Sequence, residues 1–307
     1  MTKLGWLFPG QASQKVGMGL DFYNETKLGR EYFDIAQEIM ECDIKSIVFD
    51  GPEEKLKQTE FTQPAIYIFS VIIGHLLLEK GIEPNALAGH SLGEYSAFTI
   101  AGAFNFNTGL KLVRDRAIFM SKAGQIQKGT MAAIVGIDDD KIESICSDYI
   151  GKGIVVAANF NSPGQIVISG SKNGVKWVIN KAKETGARIA IELNVSGAFH
   201  SPLMSSAREH LAEVLNSLEI SDTIYPVFTN VDSKPVTNSN EIKDSLIRQL
   251  ENPVQWSKSI SGMKDSGIQS FIEIGPGKVL QGINKRIDRS LKCRGIESIH
   301  QLENFFV

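Results

Sequence analysis

Cysteine is scarce in this chain of 307 residues. The three cysteines, Cys42, Cys146 and Cys293, lie far apart and form no CxxC pair. An odd number of cysteines without short spacing argues against a disulfide framework and against a zinc knuckle. We therefore expect a reducing, cytoplasmic compartment. No bound metal and no bound cofactor are expected either.

The chain also lacks an excess of charge of one sign. Its 32 lysines and arginines and 35 aspartates and glutamates give a formal net charge of −3, and the basic residues are scattered. Proteins that follow a nucleic-acid backbone carry a basic stripe or patch, so we do not expect nucleic acid as a partner. A membrane surface is not expected as a partner either.

Long apolar runs are missing as well. The longest, residues 65–78, is interrupted by His75. It is shorter than the roughly 20 residues that cross a bilayer, and it predicts a buried helix. Near the start of the chain, Pro9 and Gly10 break the first apolar stretch after too few residues for a signal-peptide core. Neither export nor a membrane span is expected.

The residues that are present predict an α/β fold. Hydrophobic residues make up 42% of the chain and charged residues 22%, as in ordinary soluble proteins. From residue 131 the pattern is MAAIVG (strand), a helix opened by Asp138, IVVAANF and QIVISGS (strands), VKWVINKAKETG (helix) and ARIAIELNV (strand). This βαββαβ order is typical of a ferredoxin-like module.

Short apolar segments that alternate with helical stretches flank this module and predict a mainly parallel sheet covered by helices. We predict one discontinuous α/β domain, residues 1–127 and 198–307, and a small inserted domain, residues 128–197.

The sharpest local motif is GHSLG at residues 89–93. A short apolar strand precedes it and a helical stretch follows it, which is the context of a nucleophile elbow. In such a turn the serine stands at a helix N-terminus, and the backbone N–H that follows it faces the developing oxyanion. The motif therefore makes Ser91 the candidate nucleophile.

A serine nucleophile needs a base, and the chain has five histidines. His75 lies in an apolar helix, His90 is expected to point away from the serine, and His210 lies among charged residues. His200 lies in the loop SGAFHSP just after the inserted module, where catalytic groups are commonly placed. Loop placement makes His200 the best candidate and His300 the reserve.

Seven segments occur in the order found in the malonyl-CoA:acyl carrier protein transacylase family. They are FPGQASQ, GHSLGEYSA, RDRAIFM, AANFNSPGQIVISG, SGAFHSPLM, NPVQW and EIGPGKVL, within residues 4–286. The chain resembles this family, whose fold is an α/β-hydrolase-like core with a ferredoxin-like insertion. The resemblance implies ping-pong transfer of malonyl from coenzyme A, through an ester on Ser91, to the phosphopantetheine thiol of an acyl carrier protein in fatty-acid synthesis.

The resemblance also implies roles for individual residues. It makes Ser91 the nucleophile, His200 the general base, the backbone N–H groups of Gln11 and Leu92 the oxyanion hole, Arg116 the partner of the malonyl carboxylate, and the main-chain carbonyl of Gln249 the group that orients the histidine. Coenzyme A enters as the substrate thioester.

Elementary chemistry supports the role implied for Arg116. A carboxylate that enters an acyl pocket must be paired, and a guanidinium pairs it through two parallel hydrogen bonds. Arg114, two residues away on the same predicted helix, is expected to be a surface charge. The alternative for Arg116 is an ordinary helix salt bridge.

Further residues follow from the same resemblance. Asn159 is expected to face the cleft, Met120 to line the acyl pocket, and Phe199, in the AFH form of the loop, to accompany malonyl rather than methylmalonyl substrates. Arg188 is a candidate contact for the acidic carrier protein. The expected partners are malonyl-CoA and the holo carrier protein, and the expected oligomeric state is a monomer.

Three alternatives stay open at this point. The carrier protein could belong to a polyketide synthase served in trans. The chain could instead be a serine esterase or thioesterase with a triad of Ser91, Asp288 and His300. It could also be an inactive scaffold that only docks carrier proteins.

Overall fold

The computed structural model describes residues 3–306 and contains two β-sheets. The strands are β1 (Leu4–Phe8), β2 (Ala86–Gly89), β3 (Gly129–Val135), β4 (Val155–Ser162), β5 (Gln165–Ser171), β6 (Ile189–Glu192), β7 (Val227–Phe228), β8 (Pro235–Val236), β9 (Ser270–Ile274) and β10 (Lys292–Ile296).

The helices cover both sheets. They are α1 (Leu20–Glu25), α2 (Lys27–Met40), α3 (Ile44–Phe49), α4 (Glu53–Leu56), α5 (Thr59–Glu79), α6 (Gly93–Ala101), α7 (Phe106–Ile126), α8 (Asp139–Ser147), α9 (Lys172–Glu184), α10 (Ser205–Ser217), α11 (Ser239–Gln249), α12 (Trp256–Asp265), α13 (Val279–Ile287) and α14 (Ile299–Glu303). Short 3₁₀ turns lie at Pro202–Met204 and Asn304–Phe306.

The larger sheet has six strands in the order β10-β9-β1-β2-β7-β8. All its pairs are parallel except the hairpin pair of β7 and β8. The central strand β1 is buried from Gly5 to Phe8, as expected for a parallel strand with helices on both faces. The predicted α/β fold is confirmed.

The smaller sheet has the order β4-β5-β3-β6, and all its pairs are antiparallel. Along the chain its elements follow as β3-α8-β4-β5-α9-β6, which is the βαββαβ order expected from the sequence. Its apolar face forms a separate cluster of buried side chains, drawn from the region between Ala132 and Ala190.

The apolar run at residues 65–78 lies inside α5. Among the described helices, α5 alone is long and apolar enough to cross a membrane, but 83% of its apolar window is buried inside the protein. Tyr67 and Phe69 are examples of its fully buried side chains. The helix therefore belongs to the core, as the sequence predicted.

The cavity described below lies at the carboxyl ends of β1 and β2, where ligands bind in open parallel sheets. Its opposite wall comes from the smaller sheet. Backbone hydrogen bonds join the two parts there: Val254 N donates to Ala158 O at 2.9 Å, and Phe160 N donates to Val254 O at 2.8 Å. The two sheets thus form one cleft.

Candidate active site

Ser91 stands on a sharp turn between β2 and α6. Its φ of 52° lies in the left-handed region, a strained conformation for a serine. The flanking glycines permit the turn, because a Cβ on Gly89 would lie 1.9 Å from the carbonyl carbon of Gly93, and one on Gly93 would lie 2.0 Å from Phe8 O. The Ser91 N–H donates to Asn230 Oδ1 at 2.7 Å, which fixes the turn. This is the geometry of a nucleophile elbow.

His200 lies beside Ser91, with 2.8 Å between His200 Nε2 and Ser91 Oγ. On the other side of the ring, His200 Nδ1 lies 2.9 Å from Gln249 O and 3.2 Å from Asn252 O. Carbonyl oxygens only accept, so Nδ1 carries the proton and Nε2 is left free to accept the serine proton. The second carbonyl, that of Asn252, was not predicted from the sequence.

The environment keeps His200 uncharged. Burial, and then the positive charge of Arg116, lower the pKa of His200 to about 3. An imidazole with this pKa is neutral at pH 7 and ready to act as a base. Like Ser91, His200 has a positive φ, 57°. Strained conformations of this kind concentrate at functional sites.

Arg116 projects from α7 into the same site and is 1% exposed. It donates to Gln63 Oε1 at 2.6 Å, to Gln249 Oε1 at 2.8 Å and to Ser91 Oγ at 3.2 Å. All three acceptors are neutral, so the arginine is not in the ordinary salt bridge considered as the alternative. A buried cation held by neutral groups is placed to pair with an anionic ligand.

Arg114 behaves as a surface charge, as predicted. It pairs with Asp115 at 2.9 Å and donates to Ile39 O at 2.8 Å, and its side chain is 28% exposed.

A cavity of about 460 Å³ opens in front of Ser91, His200 and Arg116. Five other residues singled out in the sequence also line it: Gln11, Leu92, Met120, Asn159 and Phe199. Gln11 lies in the loop after β1 and Leu92 directly follows Ser91 before α6, and both line the cavity. The structure thus gathers eight predicted residues around one space.

Two predicted residues do not line this cavity. Gln249 lies behind it and reaches Arg116 and His200 as described above. Arg188 is exposed and precedes β6, whereas the cavity wall begins beyond the other end of that strand, at Leu193.

Sequence reasoning missed several polar residues of the site. Asn161, Gln165, Lys278 and Arg286 line the cavity. His90 Nε2 donates to Asn161 Oδ1 at 2.9 Å, so His90 is turned toward Asn161. Three of these four residues lie in the segments AANFNSPGQ and EIGPGKVL, which carry the resemblance. Their position in these segments was the signal that could have identified them as site residues.

Glu94 was missed too, although it lies in the quoted segment GHSLGEYSA. It is fully buried, and its Oε2 accepts from Gln249 Nε2 at 2.7 Å and from Asn230 N at 3.2 Å. Burial raises the pKa of Glu94 to about 7. A buried carboxylate this close to a nucleophile is a candidate functional group.

The residues of the rival triad lie elsewhere. His300 is exposed on α14, and Asp288 is bonded to Lys264 at 2.5 Å. Neither is among the described residues that line the cavity. Within residues 3–306 there is no group of three or more His, Cys, Asp or Glu that could hold a metal ion.

Comparison with known proteins places this geometry in a family. The acyl transferase domain family matches residues 5–300. The chain is 43% identical to the malonyl CoA-acyl carrier protein transacylase of Bacillus subtilis (strain 168), over 99% of this chain and 96% of that protein.

Solved structures agree. The malonyl CoA-acyl carrier protein transacylase of Coxiella burnetii matches with a TM-score of 0.96 and 37% identity, covering 99% of this chain and 96% of the other. A malonyl-transacylase solved in complex with its type II PKS acyl-carrier protein matches with a TM-score of 0.95 and 38% identity, covering 98% of each chain. The resemblance found in the sequence motifs is confirmed, and the chain belongs to the acyl transferase domain family.

Proposed function

We propose that the protein is a malonyl-CoA:acyl carrier protein S-malonyltransferase that works through an ester on Ser91. The relatives named above carry this activity in their names, and the site supplies the matching chemistry. The observation that carries the proposal is the buried guanidinium of Arg116, 3.2 Å from the oxygen of the candidate nucleophile. Among simple acyl groups, one that bears a carboxylate, such as malonyl, can pair with this guanidinium.

The first half-reaction forms the acyl-enzyme. Ser91 Oγ attacks the thioester carbonyl while its proton passes to His200 Nε2. The oxyanion is held by the backbone N–H groups of Gln11 and Leu92. When the C–S bond breaks, His200 returns the proton to the coenzyme A thiolate, which leaves as the thiol.

The second half-reaction runs the same steps with another thiol. The phosphopantetheine thiol of the carrier protein gives its proton to His200 and attacks the Ser91 ester. The tetrahedral intermediate rests on the same two N–H groups, the C–O bond to Ser91 breaks, and Ser91 regains its proton from His200. Because coenzyme A leaves before the carrier protein enters, the kinetics are ping-pong.

The orientation of His200 depends on carbonyl groups in place of the acid of a Ser-His-Asp triad. The carbonyls of Gln249 and Asn252 accept from Nδ1–H and hold the ring in the tautomer that leaves Nε2 free. They also stabilise the imidazolium that forms when the serine proton arrives. Gln249 was assigned this role from the resemblance, and the contact of 2.9 Å supports it.

The remaining cavity residues fit the parts of the substrate. Met120, Asn159 and Phe199 surround the space in front of Ser91 and form the acyl pocket. Lys278 and Arg286 place two cations on the cavity wall, which suits the phosphates of coenzyme A. Arg188, exposed beside β6, remains the proposed contact for the acidic carrier protein.

The proposal extends to the cellular role. The enzyme supplies malonyl carrier protein for fatty-acid synthesis, as a cytoplasmic monomer. Delivery to a polyketide carrier protein is the second candidate, because a structural neighbour was solved with such a carrier protein. We also propose that the two sheets mark two domains with the boundaries predicted above, residues 128–197 forming the smaller one.

The test is the intact mass of the purified protein after mixing with malonyl-CoA. A malonyl adduct is expected on the wild-type protein and not on Ser91→Ala, and it should pass to added holo carrier protein. Steady release of coenzyme A without an adduct would show that the protein is a thioesterase. If there is no adduct and no release of coenzyme A, the protein is an inactive scaffold. Comparing fatty-acid and polyketide carrier proteins as acceptors decides between the two pathways.

A further inference from the structure

Glu94 is a buried carboxylate without a role in the mechanism above. It lies three residues after Ser91, in the first turn of α6, and is 0% exposed. Its Oε2 accepts two hydrogen bonds, from Gln249 Nε2 at 2.7 Å and from the backbone N–H of Asn230 at 3.2 Å. Burying a carboxylate costs desolvation free energy, so a buried glutamate beside the site suggests a functional role.

The side-chain amide of Gln249 lies between Glu94 and Arg116. Gln249 Oε1 accepts from Arg116 Nη2 at 2.8 Å, while Gln249 Nε2 donates to Glu94 Oε2 at 2.7 Å and to the backbone carbonyl of Ser91 at 2.9 Å. A guanidinium has donors and no acceptor, so it requires the oxygen end of the amide. Glu94 Oε2 acts as an acceptor and requires the nitrogen end. Both neighbours therefore demand the same orientation, and rotating the amide by half a turn would set donor against donor and acceptor against acceptor.

We propose that Glu94 is a positioning residue: its Oε2 fixes the side-chain amide of Gln249, and that amide in turn holds the Arg116 guanidinium where it receives the substrate carboxylate. The inference rests on the proposed function, in which Arg116 binds malonyl. Burial raises the pKa of Glu94 to about 7, but Oε2 remains an acceptor whether or not Oε1 carries a proton. The orientation therefore persists on both sides of neutral pH.

The test compares two substitutions at position 94. Glu94→Met has a similar length but offers no acceptor, so one N–H of the Gln249 amide loses its partner and only the backbone carbonyl of Ser91 still holds the nitrogen end in place. Glu94→Gln keeps an acceptor oxygen and should restore that hydrogen bond. The readout is the ratio of kcat/KM for malonyl-CoA to that for acetyl-CoA, since acetyl carries no carboxylate for Arg116.

For Glu94→Met we expect this ratio to fall at least about tenfold, the effect of leaving a buried donor unpaired. The loss should appear mainly in KM for malonyl-CoA. For Glu94→Gln we expect the ratio to stay within about threefold of wild type, because the acceptor oxygen is retained.

Glu273→Met is the matched control. Glu273 is the other fully buried glutamate within residues 3–306, and it accepts from the backbone N–H groups of Leu280 and Gln281 at the start of α13. Its loss should lower the melting temperature and leave the malonyl to acetyl ratio unchanged. Equal loss with both thioesters in Glu94→Met would show a merely structural role and overturn the proposal.

If Glu94→Gln lowers the malonyl to acetyl ratio as much as Glu94→Met does, the proposal is overturned as well. The ratio would then depend on the charge of Glu94 and not on its acceptor oxygen. If Glu94→Met does not fold, Gln249→Met breaks the same link while keeping the Gln249 backbone carbonyl, and an unchanged ratio there would refute the inference. A wild-type protein that forms no malonyl adduct would instead refute the proposed function.

Discussion

Replacing Arg116 by alanine should convert a malonyl-selective enzyme into one with little preference between malonyl and acetyl. Arg116 is fully buried and bonded to Gln63, Gln249 and Ser91, with its guanidinium 5.1 Å from the centre of the Tyr95 ring. The substitution removes the one guanidinium among the described residues that contacts Ser91. A malonyl carboxylate entering the pocket would then lose its partner.

The size of the effect follows from the burial of the pair. Removing one partner of a buried, hydrogen-bonded charge pair costs about 2–5 kcal/mol, so a middle value of about 3 kcal/mol corresponds to a loss of about 150-fold in kcat/KM. Acetyl-CoA lacks the carboxylate and avoids this cost. Any loss from the hydrogen bond between Arg116 and Ser91 Oγ affects both thioesters and cancels in their ratio. We therefore expect the malonyl to acetyl ratio to fall about 150-fold.

The assay is the rate of coenzyme A release during acylation, measured for both thioesters over a range of concentrations. Arg114→Ala is the matched control, because it removes the same charge two residues away on α7, where the side chain pairs with Asp115. It should leave the ratio unchanged. If Arg116→Ala lowers both rates equally, the carboxylate does not bind at Arg116 and the reasoning is wrong.

Three further predictions concern the base and the elbow. His200→Ala should abolish the acyl adduct in intact-mass measurements, whereas His300→Ala should keep it; the opposite result would reinstate the rival triad. Because the pKa of His200 is lowered from its ordinary 6.5 to about 3, the unfolded chain takes up the proton first as the pH falls. Between pH 7 and pH 5 wild type should therefore lose about 2 kcal/mol of unfolding free energy relative to His200→Ala, and a constant difference in denaturant titrations would contradict the shift. Gly93→Ala, whose Cβ would lie 2.0 Å from Phe8 O, should lower the unfolding free energy by about 1–3 kcal/mol and reduce adduct formation, whereas an unchanged melting temperature would refute the close approach.

Much of the fold could be predicted from local pattern. The small sheet follows from alternating strands and amphipathic helices, and β1, β2 and β9 from short apolar runs beside glycine or proline. The edge strand β10 was not predicted, because its sequence KCRGI contains no apolar run. Strand β7 has only two residues, because only Val227 and Phe228 pair with β2 and β8.

Some residues of the site could also be predicted from local pattern, and others could not. Ser91 could be found from a local motif, because the elbow is built by neighbouring residues. Glu94 and Asn230 could not be given a role, because the bond between them joins residues 136 positions apart. Gln249 was found only through the resemblance, since its contacts with Ser91 and Arg116 span 158 and 133 positions. The roles of Glu94, Asn230 and Gln249 depend on contacts between residues far apart along the chain, which no local pattern shows.

Orienting His200 with carbonyls has a consequence for the charge in the site. An aspartate in that position would add a negative charge near Arg116 and compete with the substrate carboxylate, whereas the carbonyls of Gln249 and Asn252 orient the ring and leave the guanidinium without an ionic partner. The Arg116 charge is also the second cause, after burial, of the lowered pKa of His200. Selectivity and basicity are therefore coupled through one arginine.

The coupling predicts a substrate-dependent pH profile. When a malonyl carboxylate pairs with Arg116, the positive charge that lowers the pKa of His200 is offset, so the pKa of the base rises in the malonyl complex and stays low in the acetyl complex. Since kcat reports groups in the enzyme–substrate complex, the acid-side fall of kcat should begin at higher pH with malonyl-CoA than with acetyl-CoA. Acetyl-CoA with Arg116→Ala is the control, because removing the cation should raise the same inflection without a carboxylate. Identical inflections in all three cases would mean that Arg116 does not tune the base, and that burial alone sets the pKa of His200.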